Sequence, residues 1–300
     1  MSAPRDAARA AAALLLAAGA SLGMQEPAAA SRAARAPLPI PSLVASGPSA
    51  LIVARGAEVA RVDLEGRALR TASPPRMEKV CGVALSPDGK RVAVVGGVAA
   101  KAGEVAVVDA ETLEVVASSP EPLFADLATA VAWSDDGASI VAGASDRVAR
   151  ALDAKTLAKR AELAGHTGPV LAVAVRGARI ATGSSDRTVR LWDSATGKLE
   201  RTLTNHAGSV TALVFEPGGS RLVSAGEDRT VRLWDPATGR LMRILREPAG
   251  IALSLVWPSG GALASGWSDG TVRWVDPEEG RFAAEASSGS SAWLYALAAL

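Results

Sequence analysis

From about residue 50 onward the apolar positions come in short alternating runs, broken every few residues by Gly, Pro, Asp or Ser. Ala130–Trp133 and Val210–Phe215 are runs of this kind. Period-two alternation over so few residues predicts half-buried β-strands rather than helices. Tight turns follow the runs: Ser86-Pro87-Asp88-Gly89, Ser134-Asp135-Asp136-Gly137 and Glu216-Pro217-Gly218-Gly219. Proline presets φ at the second position of a turn and glycine accepts positive φ, so these read as hairpin connections. In one stretch the grammar is complete. Val210–Phe215 leads through a turn to Arg221–Ala225, a short turn at Glu227-Asp228-Arg229 leads to a third strand, and Pro236-Ala237-Thr238-Gly239 leads to Arg240–Leu245. No long helical spacing occurs after residue 37.

This four-strand unit repeats. Thr188-Val189-Arg190-Leu191-Trp192-Asp193 returns identically as Thr230–Asp235 and in weaker form as Thr271-Val272-Arg273-Trp274-Val275-Asp276. Fainter copies end at Asp63, Asp109 and Asp153, so the terminal aspartates lie 46, 44, 40, 42 and 41 residues apart. Units end near residues 72, 119, 163, 204, 245 and 286. Residues 291–298, with Trp293, Tyr295 and Leu297 alternating, read as one more first strand. That strand is expected either to close the first blade or to begin a seventh. A lone sheet with two apolar faces cannot bury both, whereas sheets set radially cover one another. The predicted fold is therefore all-β, a β-propeller of about six four-stranded blades plus the closing or orphan strand, in a single domain over residues 37–300.

The repeat length and the Trp-Asp ending resemble the WD-repeat family, most strongly from Gly165 to Asp235. The resemblance implies a hydrogen-bonded network of His, Ser or Thr, Asp and Trp in the two units that carry the fuller signature. It assigns His166, Thr182, Asp186 and Trp192 to one unit and His206, Ser224, Asp228 and Trp234 to the next. Imidazole can donate and accept, carboxylate accepts and indole donates, so such a set can satisfy itself when buried. The sixth unit keeps Ser265 and Asp269, lacks the His and has Trp274 displaced by one position. The first three units lack both the His and the strand Trp, and are expected to rely on apolar packing.

The start of the chain departs from this pattern. Arg5 and Arg9 precede an apolar run over residues 10–20, and small residues follow, which is the order of a secretory signal peptide. Residues 1–36 are expected to be a signal peptide and small-residue linker, so the protein is expected to be exported, to the periplasm or outside the cell. An Ala-rich tail on a cytoplasmic protein is the alternative. No later stretch reaches membrane-spanning length without charges.

Composition narrows the chemistry. Lys plus Arg is 32 and Asp plus Glu is 31, a net charge of +1 that argues against a general nucleic-acid binder. One cysteine, Cys81, excludes an intrachain disulfide, and two histidines leave little for a metal centre. No catalytic elbow, phosphate loop or haem motif is present, and neither a cofactor nor a metal is expected.

Arg147, Arg187 and Arg229 follow the turn aspartate in three successive units and would lie near one face, as a basic arc for an anionic partner or as paired and solvated surface charge. Arg150, Arg190, Arg232 and Arg273 recur within the third strand, where ion pairs or stem packing are expected. Trp267 stands where the two strongest units have Ser184 and Gly226. It is expected either to anchor a partner on the surface or to cover the place of the missing His. The leading functional expectation is a non-catalytic platform for a protein or peptide partner. The alternatives are an exported enzyme similar to lactonase-like or quinoprotein-like propellers, or an accessory propeller of a larger protein.

Overall fold

The computed structural model describes residues 43–45, 50–63, 65–247 and 250–287. The expected leader and linker over residues 1–36 and the expected last strand over 291–298 lie outside the described residues. Among the described residues, six antiparallel four-stranded sheets follow one another in sequence and stand as the blades of a propeller. Blade one is β1 (Leu43–Ala45), β2 (Ala50–Arg55), β3 (Glu58–Asp63) and β4 (Ala68–Ala72). Blade two is β5 (Lys79–Leu85), β6 (Arg91–Val98), β7 (Ala102–Asp109) and β8 (Val115–Ser118). Blade three is β9 (Ala128–Trp133), β10 (Ser139–Ala144), β11 (Val148–Asp153) and β12 (Lys159–Ala164). Blade four is β13 (Val170–Arg176), β14 (Arg179–Ser184), β15 (Val189–Asp193) and β16 (Leu199–Leu203). Blade five is β17 (Val210–Phe215), β18 (Leu222–Gly226), β19 (Thr230–Asp235) and β20 (Arg240–Arg246). Blade six is β21 (Ala252–Val256), β22 (Leu263–Trp267), β23 (Thr271–Asp276) and β24 (Arg281–Ser287).

The first strand of each blade is the innermost. β5 packs on β1 and β2, β9 on β5 and β6, β13 on β9 and β10, β17 on β13 and β14, and β21 on β17 and β18. The core lies between the sheets. Phe215, Leu222 and Trp234 of blade five share one cluster with Ala181, Val189 and Leu191 of blade four. Outermost strands are wet, as β8 and β24 show, because nothing lies beyond them. Close approach at the hub needs glycine. A Cβ on Gly143 would stand 2.5 Å from Val170 Cγ1, and one on Gly183 would stand 2.7 Å from Val210 Cγ1.

Candidate functional site

Blades four and five each carry a closed polar network inside an apolar setting. In blade four the Trp192 indole N–H donates to Thr182 Oγ1 at 2.9 Å, and Thr182 Oγ1 lies 2.8 Å from His166 Nε2. On the other side of the ring, His166 Nδ1 is 2.8 Å from Asp186 Oδ2. The assignment that satisfies every group has Thr182 O–H donating to Nε2 and Nδ1–H donating to the carboxylate. Blade five repeats it with Trp234, Ser224, His206 and Asp228 at 2.8, 2.7 and 2.9 Å. Both imidazoles are fully shielded from solvent, and both ring nitrogens of each are occupied. Burial pushes the His166 pKa down, outweighing the upward pull of Asp186, so the ring is neutral near pH 7. Burial also pushes the Asp186 carboxyl up, but hydrogen bonds from Thr188, His166 and the Thr167 backbone prevail and hold it at about 2.

A further member recurs that the spacing of His, Asp and Trp does not show. Thr188 and Thr230 donate through Oγ1 to Oδ1 of the aspartate two residues earlier, each at 2.7 Å. Thr271 makes the same bond to Asp269. The recurrence of Asp-x-Thr in the three units is the signal for it. Each of these aspartates thus organises its own turn, and they form no shared acid cluster.

Blade six rebuilds the network with other residues. Trp267 is fully buried. Its indole N–H donates to Ser265 Oγ at 2.9 Å, and its ring meets Phe282 edge-on with centroids 5.6 Å apart. Trp267 therefore fills the interior of the blade and is not part of a partner-binding surface. Period-two parity explains this, since Leu263, Ser265 and Trp267 share one side of β22. Asp269, without a His, takes Arg273 Nη2 at 2.8 Å. Arg273 lies over the Trp267 ring at 5.0 Å. Arg232 likewise binds Asp228, at 3.0 Å, so the third-strand arginines of these blades are bound to the turn carboxylates.

Arg147, Arg187 and Arg229 are exposed at the turns between second and third strands. All three adopt left-handed backbone, with φ of 75°, 69° and 60°, where blade six has Gly270 at 77°. Each turn is closed by the same bond, for example Arg187 N–H to Ser184 O at 3.1 Å. Arginine at φ > 0 costs free energy that glycine would avoid. These are therefore three guanidinium groups at equivalent positions of adjacent blades, on one rim of the ring.

On the inner wall the first strands of blades three to six border an open depression of about 300 Å³. Its lining includes Trp133, Val175, Phe215, Pro217 and Trp257. Trp133 is buried and donates to Ala84 O of blade two at 2.8 Å, whereas Trp257 is half-buried. Cys81 is also half-buried, and burial raises its thiol pKa. Among the described residues no helix is long and apolar enough to cross a membrane, and no group of three or more His, Cys, Asp or Glu could hold a metal ion.

Six radial sheets with self-satisfied His–Asp networks in two neighbouring blades define a propeller built of repeats. Residues 158–193 and 197–235 each match the WD domain, G-beta repeat, and they span most of blades four and five. The described residues form a β-propeller of six blades, and its fourth and fifth blades are similar to WD repeats. No curated protein matches the chain significantly.

Proposed function

We propose that the protein is a non-catalytic interaction scaffold that receives an acidic protein or peptide segment on the rim carrying Arg147, Arg187 and Arg229. The observation that carries this reading is the left-handed backbone under three exposed arginines at equivalent turns. Strained positions that keep a charged side chain where glycine would be more comfortable point to use of that side chain. A rigid ring holds such turns at fixed spacing, which suits recognition of an extended acidic partner.

The best acid–base candidates are committed elsewhere. His166 and His206 have no free ring nitrogen, and Asp186, Asp228 and Asp269 are bound within their own turns. No carboxylate lines the inner-wall depression, so a lactonase-like or quinoprotein-like site finds no support there. The order of basic, apolar and small residues over 1–36 supports an exported setting for the scaffold.

The test is titration with a fluorescent glutamate-rich peptide, monitored by anisotropy. Binding should weaken as salt rises. Replacing the three arginines together by glycine keeps the backbone and should weaken binding by about tenfold or more. Unchanged affinity in that variant would remove this rim from the function.

A further inference from the structure

The third strands of blades three to six carry an arginine at one equivalent place, Arg150, Arg190, Arg232 and Arg273. All but Arg190 are neutralised by carboxylates of the protein itself. Arg150 pairs with Asp146 at 3.4 Å and with Glu162, directly opposite on β12, at 3.3 Å. Arg232 holds Asp228 at 3.0 Å and donates through Nε to Thr230 Oγ1 at 3.0 Å. Arg273 holds Asp269 at 2.8 Å, with Glu247 at 3.4 Å and Glu285, opposite on β24, at 3.6 Å. Arg190 forms neither a hydrogen bond nor an ion pair with any described residue, and its Nε is buried without a partner.

Two local features set Arg190 apart. The residue opposite it on β16 is Thr202, where Arg150 and Arg273 face glutamate. The residue before the network histidine is Gly165, where blade five has Asn205. A Cβ on Gly165 would collide with Arg190 Nη1, so the bare backbone there seats the guanidinium. Asp186, four residues earlier, is satisfied by His166, Thr188 and the Thr167 backbone instead.

The place of this side chain is also informative. Trp192, two residues on and therefore on the same face, clusters with Val141, Ala149 and Leu163 of blade three. Arg190 thus points into the cleft between blades three and four. It lies three residues beyond exposed Arg187, at the end of the blade where Thr167 N–H meets Asp186 at 3.0 Å. A half-buried guanidinium with a shielded, unpaired Nε is costly to keep, and the cost is recovered when an anion arrives.

We infer that Arg190 is the anchoring seat for one carboxylate side chain of the bound acidic segment, an aspartate or glutamate reaching into the cleft between blades three and four. This rests on the rim reading above and adds one preferred position to it. A carboxylate suits the seat better than a phosphate. The flat guanidinium fork matches a planar monoanion, and the nearby ionised Asp186 repels a dianion more strongly.

Anisotropy titration of the full chain with the fluorescent glutamate-rich peptide tests this. Arg190→Met keeps the stem, removes the charge and should weaken binding about tenfold, and Arg190→Lys should recover only part of that. Thr202→Glu is the sharper variant. It supplies the opposite-strand carboxylate that blades three and six have, occupies Arg190 from within, and should weaken binding by a similar factor with the urea midpoint unchanged or raised. Ile244→Glu places the same charge opposite Arg232, which is already paired, and should change affinity by less than about threefold. Affinity unmoved by Arg190→Met and Thr202→Glu, with the triple glycine variant weakened, would overturn the inference and leave the rim standing. Affinity lost in Arg190→Met but unmoved in the triple variant would discard the rim and keep the seat. Absence of binding discards both. Equal losses in Thr202→Glu and Ile244→Glu would reduce the effect to general repulsion and overturn the seat, as would tenfold tighter binding of a phosphoserine-rich peptide of equal charge.

Discussion

Blades four and six solve one problem with different residues. In blade four the buried hydroxyl of Thr182 meets an indole from the neighbouring strand and an imidazole from the preceding loop. In blade six the hydroxyl of Ser265 meets an indole from its own strand, two residues away, and donates to Arg273 O at 3.0 Å. The turn aspartate is met by imidazole in one blade and by guanidinium in the other. A blade interior therefore requires a donor for the hydroxyl and a cation or N–H for the carboxylate. The identity and origin of those groups are free to change.

The largest test of this equivalence is Trp267→Ala. The indole both fills the blade and supplies the donor, so its loss should cost about 3–5 kcal/mol, read by urea unfolding. A loss below about 1 kcal/mol would mean the blade repacks and the indole is dispensable. His166→Ala should cost less, about 2–3 kcal/mol, because it strips partners from Thr182 and Asp186 without opening so large a void.

Acid should separate the two blades. His166 has its folded pKa below the ordinary 6.5, so the unfolded chain binds the proton first as pH falls. Its contribution to stability is complete above about pH 6.5 and declines below it. Asp186 adds a second loss as pH falls from 3.8 toward 2. Urea midpoints should be flat from pH 7 to 8 and fall below 6.5, and His166→Gln should remove part of that fall. A midpoint that rises on acidification would show a charged imidazolium paired with Asp186.

Trp192→Phe and Trp267→Phe each remove one indole-to-hydroxyl bond and should cost the same, about 1 kcal/mol. Unequal costs would break the equivalence between the blades. The smallest effect is expected for Arg187→Gly, within about 0.5 kcal/mol of zero. Relief of left-handed strain is offset there by the greater freedom of glycine in the unfolded chain.

Much of this architecture was legible because the repeat writes its turns and alternation openly. The two identical hexapeptides form β15, which Thr188 precedes, and β19, which Thr230 opens, and His166, Thr182, Asp186 and Trp192 are joined by hydrogen bonds. Comparison of Trp267 with Ser184 and Gly226 gives size but not side. The parity of Leu263, Ser265 and Trp267 would have placed it inside. The contacts of blade two were not legible. Glu104, almost fully buried, pairs with Arg76 at 3.2 Å, and burial raises its carboxyl pKa despite that partner. Arg76 also holds the carbonyls of Ser119 and Pro120. No repeat position announces this set, since it arises from a longer hairpin and loop peculiar to that blade.

Some hydrogen bonds of the hub cross from one sheet to the next. Thr129 reaches Val170 O, Thr211 reaches Ala252 O at 2.6 Å, and Trp133 reaches back to Ala84 O. Excising a single repeat would thus injure two sheets, leaving donors or acceptors stranded in the survivor. Gain or loss of modules in such a chain is tolerable only where these stitches can be remade across the new junction.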